Sequence, residues 1–146
     1  MNRLLYILFF LFISCDNTSK IKLIDIYYLP NDTTTQTPVD CSSLYGDWKP
    51  ELQNHKINKN KTLKNIEYLL THLNNEVEES KNLSQDVRIR CMIHFKNKKT
   101  DTLCLGESFD TYLNGQKVQD VPELFSLLKK ELDYENSYKR IKPLPR

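Results

Sequence analysis

The spacing of hydrophobic residues changes along the chain, and each spacing predicts a different element. Residues 20–29 are rich in Ile and Tyr and partly alternate with polar residues, which predicts a β-strand that ends at Pro30. In residues 60–79 the hydrophobic residues recur at helical spacing, which predicts a helix. Because acidic residues near the end of this segment oppose the helix dipole, we expect the helix to stop near residues 74–75.

The rest of the hydrophobic pattern predicts antiparallel hairpins and a second helix. Residues 86–96 alternate strictly, which predicts a strand with one buried and one wet face, and residues 102–105 return beside it. Residues 109–113 predict another strand, which the turn-forming dipeptide Asn114-Gly115 joins to a short return strand. Residues 120–132 combine a capping-box-like start with helical spacing and predict the second helix.

This order of elements predicts an α+β fold. We expect a mainly antiparallel sheet of about four strands, with both helices packed on one face. A single domain is expected over residues 20–132, followed by a basic extended tail at residues 133–146. Polar residues dominate the outward positions of strand 86–96, which predicts that the second face of the sheet stays open. These outward residues are Arg88, Arg90, Met92 and His94.

The N-terminal residues follow neither pattern. An unbroken apolar run occupies residues 4–13, directly after the basic end of the chain. Its length fits the apolar region of an export signal, whereas a membrane-spanning helix needs roughly 20 apolar residues. A longer helix would bring Asp16 and Lys20 into the bilayer, where each charge costs about 2.5–3.5 kcal/mol. We therefore interpret residues 1–14 as a signal peptide that is removed.

The end of this run, Phe12-Ile13-Ser14-Cys15, resembles the lipobox of bacterial lipoproteins, with Phe12 where Leu is usual. The resemblance implies cleavage before Cys15, a thioether-linked diacylglycerol on its sulfur, and an acyl chain such as palmitate on its new amino group. Residues 15–19 then form a lipidated tether. The protein is expected in the cell envelope, anchored to the inner or outer membrane. The alternative is an ordinary signal peptide with an incidental cysteine.

The composition narrows the range of functions. The Lys-, Asn- and Ile-rich chain resembles small lipoproteins of Bacteroidota-type bacteria, a resemblance that brings no activity with it. With 21 Lys and Arg residues against 19 Asp and Glu residues, the chain is almost neutral, which argues against nucleic-acid binding. Only three glycines occur, so a glycine-rich phosphate loop is excluded. We predict no cofactor, and the expected partners are the membrane, through the lipid, and a protein at the envelope.

Four cysteines occur, and lipidation of Cys15 would leave Cys41, Cys91 and Cys104, which allows at most one internal disulfide. Cys91 and Cys104 lie on the two arms of the first predicted hairpin. A two-residue turn would place them opposite each other, where a disulfide is feasible.

A three-residue turn in that hairpin gives a different register. It aligns Leu103 with Ile93 and Leu105 with Cys91, which makes the better apolar face. We therefore favour free buried thiols at Cys91 and Cys104 over a disulfide between them.

The irregular segment 31–50 holds the residues best suited to contact a partner. Tyr45, Asp47 and Trp48 lie there, and aromatic residues on loops are frequent contact points. The alternative is that the aromatic side chains fold back and cover the core.

No catalytic or metal-binding motif is evident in the sequence. His55, His72 and His94 fall on different elements and lack the spacing of a metal site. No serine lies in a nucleophile-elbow motif. We predict a non-enzymatic, lipid-anchored binding or accessory module. One alternative is an immunity or inhibitor protein against an envelope-acting toxin or lytic enzyme, and a second is a small hydrolase that uses the loop carboxylates Asp40 and Asp47.

Overall fold

An antiparallel sheet and two helices form the part of the chain that the structure describes. The structure is a computed structural model, and it describes residues 18–35, 37–44, 52–73, 86–107 and 110–137. The strands are β1 (Ile21–Tyr28), β2 (Gln53–Ile57), β3 (Val87–Phe95), β4 (Thr100–Gly106), β5 (Thr111–Leu113) and β6 (Gln116–Val118). The helices are α1 (Asn60–Leu70) and α2 (Pro122–Leu132), and a 3-10 turn follows at Tyr134–Asn136. The strand order is β2-β1-β3-β4-β5-β6, and every neighbouring pair is antiparallel.

The predicted α+β class is confirmed, but the described sheet has six strands where about four were expected. The strand β2 was missed because its sequence, Gln-Asn-His-Lys-Ile, buries only Ile57 and so lacks a hydrophobic period. The predicted first helix is also shorter than expected. It ends at Leu70, with Thr71 as its C-cap, and residues 74–85 lie outside the described part of the chain.

The main core lies between the helices and one face of the sheet. Alternate residues of β3, namely Ile89, Cys91 and Ile93, point into it, as the strict alternation predicted. Both helices supply one apolar stripe to the same cluster, so both pack on this face. The helix residues in the cluster are Leu63, Ile66, Leu124, Leu128 and Leu132.

The segment after α2 belongs to the domain and corrects the prediction of an extended tail from residue 133. Asp133 adopts a left-handed conformation with φ 48°, which stops the helix, and the chain then makes the 3-10 turn. Tyr134 is buried, and its ring centroid lies 6.2 Å from that of Tyr28. The hydroxyl of Ser137 accepts a hydrogen bond from the backbone N–H of Asn31. Residues 138–146 lie outside the described residues.

The connection between β3 and β4 sets the positions of the cysteines. Phe95 pairs with Lys99 across a three-residue turn, and Lys98 takes the left-handed conformation at φ 70°. In the resulting register Cys91 lies opposite Leu103, and Arg90 lies opposite Cys104. The turn therefore has three residues, 96–98. The predicted alignment of Leu103 with Ile93 would have required a turn one residue later, at residues 97–99.

The candidate disulfide between Cys91 and Cys104 is wrong, because this register points the two side chains to opposite faces of the sheet. Cys104 is instead bonded to Cys41, 63 residues away in sequence, with 5.9 Å between their Cα atoms. Cys91 is a free buried thiol. The expectation of free thiols at both cysteines is therefore confirmed for Cys91 and wrong for Cys104.

These positions predict the order in which the thiols react. Burial raises the pKa of the Cys91 thiol to about 12, so little reactive thiolate forms near neutral pH. Alkylation of the native protein should leave Cys91 unmodified, and unfolding without a reductant should expose it. Cys41 and Cys104 should react only after reduction. Peptide mass mapping checks this order; free Cys41 and Cys104 thiols in unreduced mature protein would contradict the pairing.

Candidate partner-binding face

The face of the sheet opposite the helices, here called the second face, is divided into a covered part and an open part. Residues 29–35 and 37–44, here called the covering segment, lie over the covered part and bury a small apolar cluster beneath them. Its buried members are Leu29, Val39, Leu44, Val87, Cys104 and Tyr112. Cys41 and Leu52 pack against this cluster, so residues on both sides of segment 45–51 contribute to it.

Backbone hydrogen bonds and the disulfide hold this covering segment in place. The N–H of Leu29 donates to the carbonyl of Arg88 over 2.9 Å, and the N–H of Val87 donates to the carbonyl of Val39 over 2.8 Å. The bond between Cys41 and Cys104 then joins the segment covalently to β4. The segment is therefore attached to the sheet at three separate points.

Arg88 is part of the covered region, which corrects the prediction that it lines an open face. Only 9% of this residue is exposed. Its Nη1 donates to the carbonyl of Thr33 and its Nη2 to Oδ2 of Asp86, each over 2.7 Å. Its Nε has no hydrogen-bond partner among the described residues. The alternation of β3 correctly placed Arg88 on the outward side, but it held no information on what covers this residue.

Asp40 has a structural role in the covering segment. Its Oδ1 accepts hydrogen bonds from the Ser42 hydroxyl over 2.6 Å and from the Ser43 backbone N–H over 2.7 Å. The hydrogen bond from the Ser42 side chain is the main cause that lowers the pKa of Asp40 to about 2. A carboxylate with this pKa is neither a proton donor nor an effective base near neutral pH. The geometry therefore gives no support to a hydrolase that relies on Asp40.

The open part of the second face carries a polar network across four strands. Asp25 on β1 lies 3.3 Å from the Lys56 ammonium on β2 and 3.1 Å from Nε2 of His94 on β3. Nδ1 of His94 lies 3.2 Å from the hydroxyl of Thr100 on β4. If Nε2 of the neutral ring donates to Asp25, Nδ1 is the acceptor for the Thr100 hydroxyl.

This network is accessible to a partner. About a third of the His94 and Asp25 side chains is exposed, and an exposed ion pair of this kind contributes at most about 1 kcal/mol to stability. The network presents a carboxylate, an imidazole, an ammonium and a hydroxyl group side by side. This combination of donors and acceptors suits a polar partner surface more than an apolar one.

Lysines surround one end of the open part. A shallow depression with a volume of about 390 Å³ lies there, with Leu23 and Phe95 in its lining. The exposed lysines at this end are called the lysine rim, and they are Lys20, Lys22, Lys96, Lys98 and Lys99. This edge of the face is therefore strongly basic, whereas the chain as a whole is almost neutral.

Several residues that the sequence singled out lie outside the described part of the chain. They are the lipidation candidate Cys15 and the partner-binding candidates Tyr45, Asp47 and Trp48. Of the histidines, only His94 belongs to the network, while His55 lies on β2 and His72 follows α1. No group of three or more potential metal ligands occurs among the described residues.

The sequence missed Asp25, Lys56 and Thr100 as members of the site. Asp25 carried a weak signal, because it is a charged residue between the buried Ile24 and Ile26 of a strand. Its proximity to His94 depends on the pairing of β1 with β3, which local sequence does not encode.

No protein-family model, curated protein or solved structure matches this chain. Within the described ranges, neither helix has the length and apolar character needed to cross a membrane.

Proposed function

We propose that this protein is a lipid-anchored component of the bacterial cell envelope that binds a partner at the membrane surface and does not catalyse a reaction. The observation that carries the proposal is the lipobox-like motif Phe12-Ile13-Ser14-Cys15 at the end of an apolar run. Two or three acyl chains on one cysteine bind a membrane almost permanently, because each buried CH₂ adds about 0.8 kcal/mol.

The attachment of the N-terminal segment to the domain supports this proposal. The Ser19 hydroxyl donates to Glu67 over 2.6 Å, and the Ser19 backbone N–H donates to Asn60 over 3.1 Å. The N–H of Lys20 also donates to Glu67. The chain is thus fixed to the domain at Ser19 and Lys20, and Ser19 is the last residue of the tether predicted for residues 15–19. Only three peptide units separate Thr18 from Cys15, which limits their Cα separation to about 11 Å.

The open part of the second face is the contact surface that we assign to this role. Its network of Asp25, Lys56, His94 and Thr100 offers groups of both charges on a rigid sheet. A rigid, preorganised surface loses little conformational entropy when a partner binds. With the anchor at Cys15, that partner would be met close to the membrane.

A second candidate function, an immunity or inhibitor protein, is favoured by the residues around segment 45–51. Leu44 is fully buried in the small apolar cluster beneath the covering segment, and Leu52 packs against the same cluster. The disulfide at Cys41 fixes the N-terminal approach to the segment. A segment whose two flanks are fixed loses less conformational entropy on binding, which suits tight inhibition of a protein by Tyr45 and Trp48.

Site-specific photo-crosslinking in cells tests the contact surface. A benzophenone amino acid at Lys56 would report on the open part of the second face, where 59% of the lysine side chain is exposed. The matched control places the same group at Tyr68, which is 65% exposed on α1, on the opposite side of the sheet. We expect one defined protein adduct from position 56, none from position 68, and loss of the adduct in an Asp25→Ala background.

The identity of the adduct separates the two functions. A toxin or lytic enzyme would support the inhibitor function, and a resident envelope protein would support the accessory function. An adduct formed only from position 68, or no adduct from either position, would contradict the assignment of this face.

A further inference from the structure

The lysine rim is located where the chain leaves the domain toward Cys15. The ammonium of Lys96 donates to the hydroxyl of Thr18 over 2.8 Å, and its backbone N–H donates to the carbonyl of Lys20 over 2.9 Å. Ile21 pairs with Phe95 in the sheet. The turn between β3 and β4, with its three lysines, is therefore fixed beside the N-terminal end of β1.

The carboxylates of the described residues near the rim leave most of its positive charge unbalanced. Asp25 is shared between Lys56 and His94, Asp101 forms an ion pair with Lys99, and Glu67 accepts hydrogen bonds from Ser19 and Lys20. Four rim lysines form no ion pair with any described residue. These four are Lys20, Lys22, Lys96 and Lys98.

We infer that the lysine rim rests on anionic lipid headgroups of the membrane that holds the anchor. This inference rests on the proposed lipidation of Cys15. The chain between Cys15 and Thr18 spans at most about 11 Å, which is close to the Debye length of about 10 Å at moderate salt. Thr18, which the Lys96 ammonium contacts, is therefore held within about one Debye length of the lipidated residue, and this brings the rim close to the headgroups. Basic residues at this distance are attracted to anionic lipid surfaces.

The acyl chains hold the protein at the membrane, and the rim determines its orientation. With the rim at the headgroups, β1 leads away from the membrane from Ile21 to Tyr28, over about 23 Å at 3.3 Å per residue. Cys104 lies toward the far end of the sheet, opposite Arg90, which itself pairs with Tyr27. The covering segment is thus presented away from the membrane, and the network of Asp25 and His94 lies nearer to the membrane.

Amine labelling of the reconstituted protein tests this orientation. The full mature protein is extracted from membranes, its lipid is verified by mass, and it is reconstituted into vesicles. One set is zwitterionic phosphatidylcholine, and the other also contains phosphatidylglycerol. We expect Lys20, Lys22 and Lys98 to label about fivefold more slowly in the anionic vesicles. Lys130, on the surface of α2, should label equally in both sets. At about 1 M salt the Debye length falls to about 3 Å, and the difference should disappear.

Charge-reversal variants provide the matched controls. A Lys22→Glu/Lys98→Glu protein should lose the slower labelling of Lys20 in anionic vesicles, whereas a Lys130→Glu protein should keep it. Equal labelling of the wild-type rim in both vesicle types, with the lipid present, would overturn the orientation but not the anchor. Protection by inorganic phosphate in zwitterionic vesicles would show a soluble anion as the ligand and would also overturn it. Absence of lipid on the protein would instead overturn the proposed function.

Discussion

Removal of the disulfide between Cys41 and Cys104 is expected to lower the free energy of unfolding by about 4 kcal/mol. The bond closes a loop of 63 residues, and a cross-link of that span lowers the conformational entropy of the unfolded chain by an amount worth about 4 kcal/mol. Domains of this kind are stable by only about 5–15 kcal/mol, so the loss is a large part of the total. Urea denaturation of a Cys41→Ser/Cys104→Ala protein measures the effect through the shift of its midpoint.

Cys91 provides the matched control for this prediction. It is buried in the main core but forms no disulfide, so Cys91→Ala should cost only about 1 kcal/mol, as expected for the loss of one buried atom. Reduction of the wild-type protein should reproduce most of the effect of the double substitution. The predicted role of the bond is wrong if the double variant and reduced wild type are no less stable than Cys91→Ala.

Replacement of Cys15 by alanine is expected to remove the lipid and to block processing. The thioether forms on the cysteine sulfur, and the lipobox resemblance implies that the signal peptidase acts only on the lipidated cysteine. A Cys15→Ala protein should therefore incorporate no fatty acid and should retain residues 1–14. Metabolic labelling with an alkyne fatty acid, read together with the size of the protein on a gel, measures both effects.

The control for this experiment is Cys91→Ala, which changes a cysteine that has no role in anchoring. That protein should be labelled and processed like the wild type. Fatty-acid labelling of Cys15→Ala at the wild-type level would exclude Cys15 as the attachment point and would leave the ordinary signal peptide as the better interpretation.

Much of the fold was predictable where hydrophobic residues repeat at a regular spacing or where a turn-forming dipeptide occurs. The strict alternation of β3 correctly placed Ile89, Cys91 and Ile93 in the core, because a strand with one buried face repeats every two residues. The dipeptide Asn114-Gly115 correctly predicted a tight turn, since both residues adopt positive φ there. The strand β2 offered no such signal, because it lies at the sheet edge and buries only Ile57.

The cysteine pairing could not be derived from local sequence. A shift of one residue in the β3–β4 turn moves each side chain of β4 to the other face relative to β3. The correct partner, Cys41, reaches Cys104 only because the covering segment packs Val39 and Leu44 against the second face. Those contacts depend on the path of the whole segment, which has no regular period.

The candidate site was predictable only in part, for the same reason. The alternation of apolar and polar residues in β3 correctly predicted that His94 lies on the second face. Asp25 and Thr100 reach His94 only through strand pairing. The separation of Asp25 and His94 by 3.1 Å requires the antiparallel register of β1 with β3. The lysine rim likewise combines the start of β1 with a turn far along the chain.

The mass of the N-terminal peptide of the mature protein tests the proposed anchoring most directly. Protein extracted from its native membrane and digested with trypsin should yield a peptide that begins at Cys15 and carries a diacylglycerol with at least one further acyl chain. A peptide that begins at another residue, or an unmodified Cys15 in the mature protein, would contradict the lipid anchor and the membrane-facing orientation that depends on it.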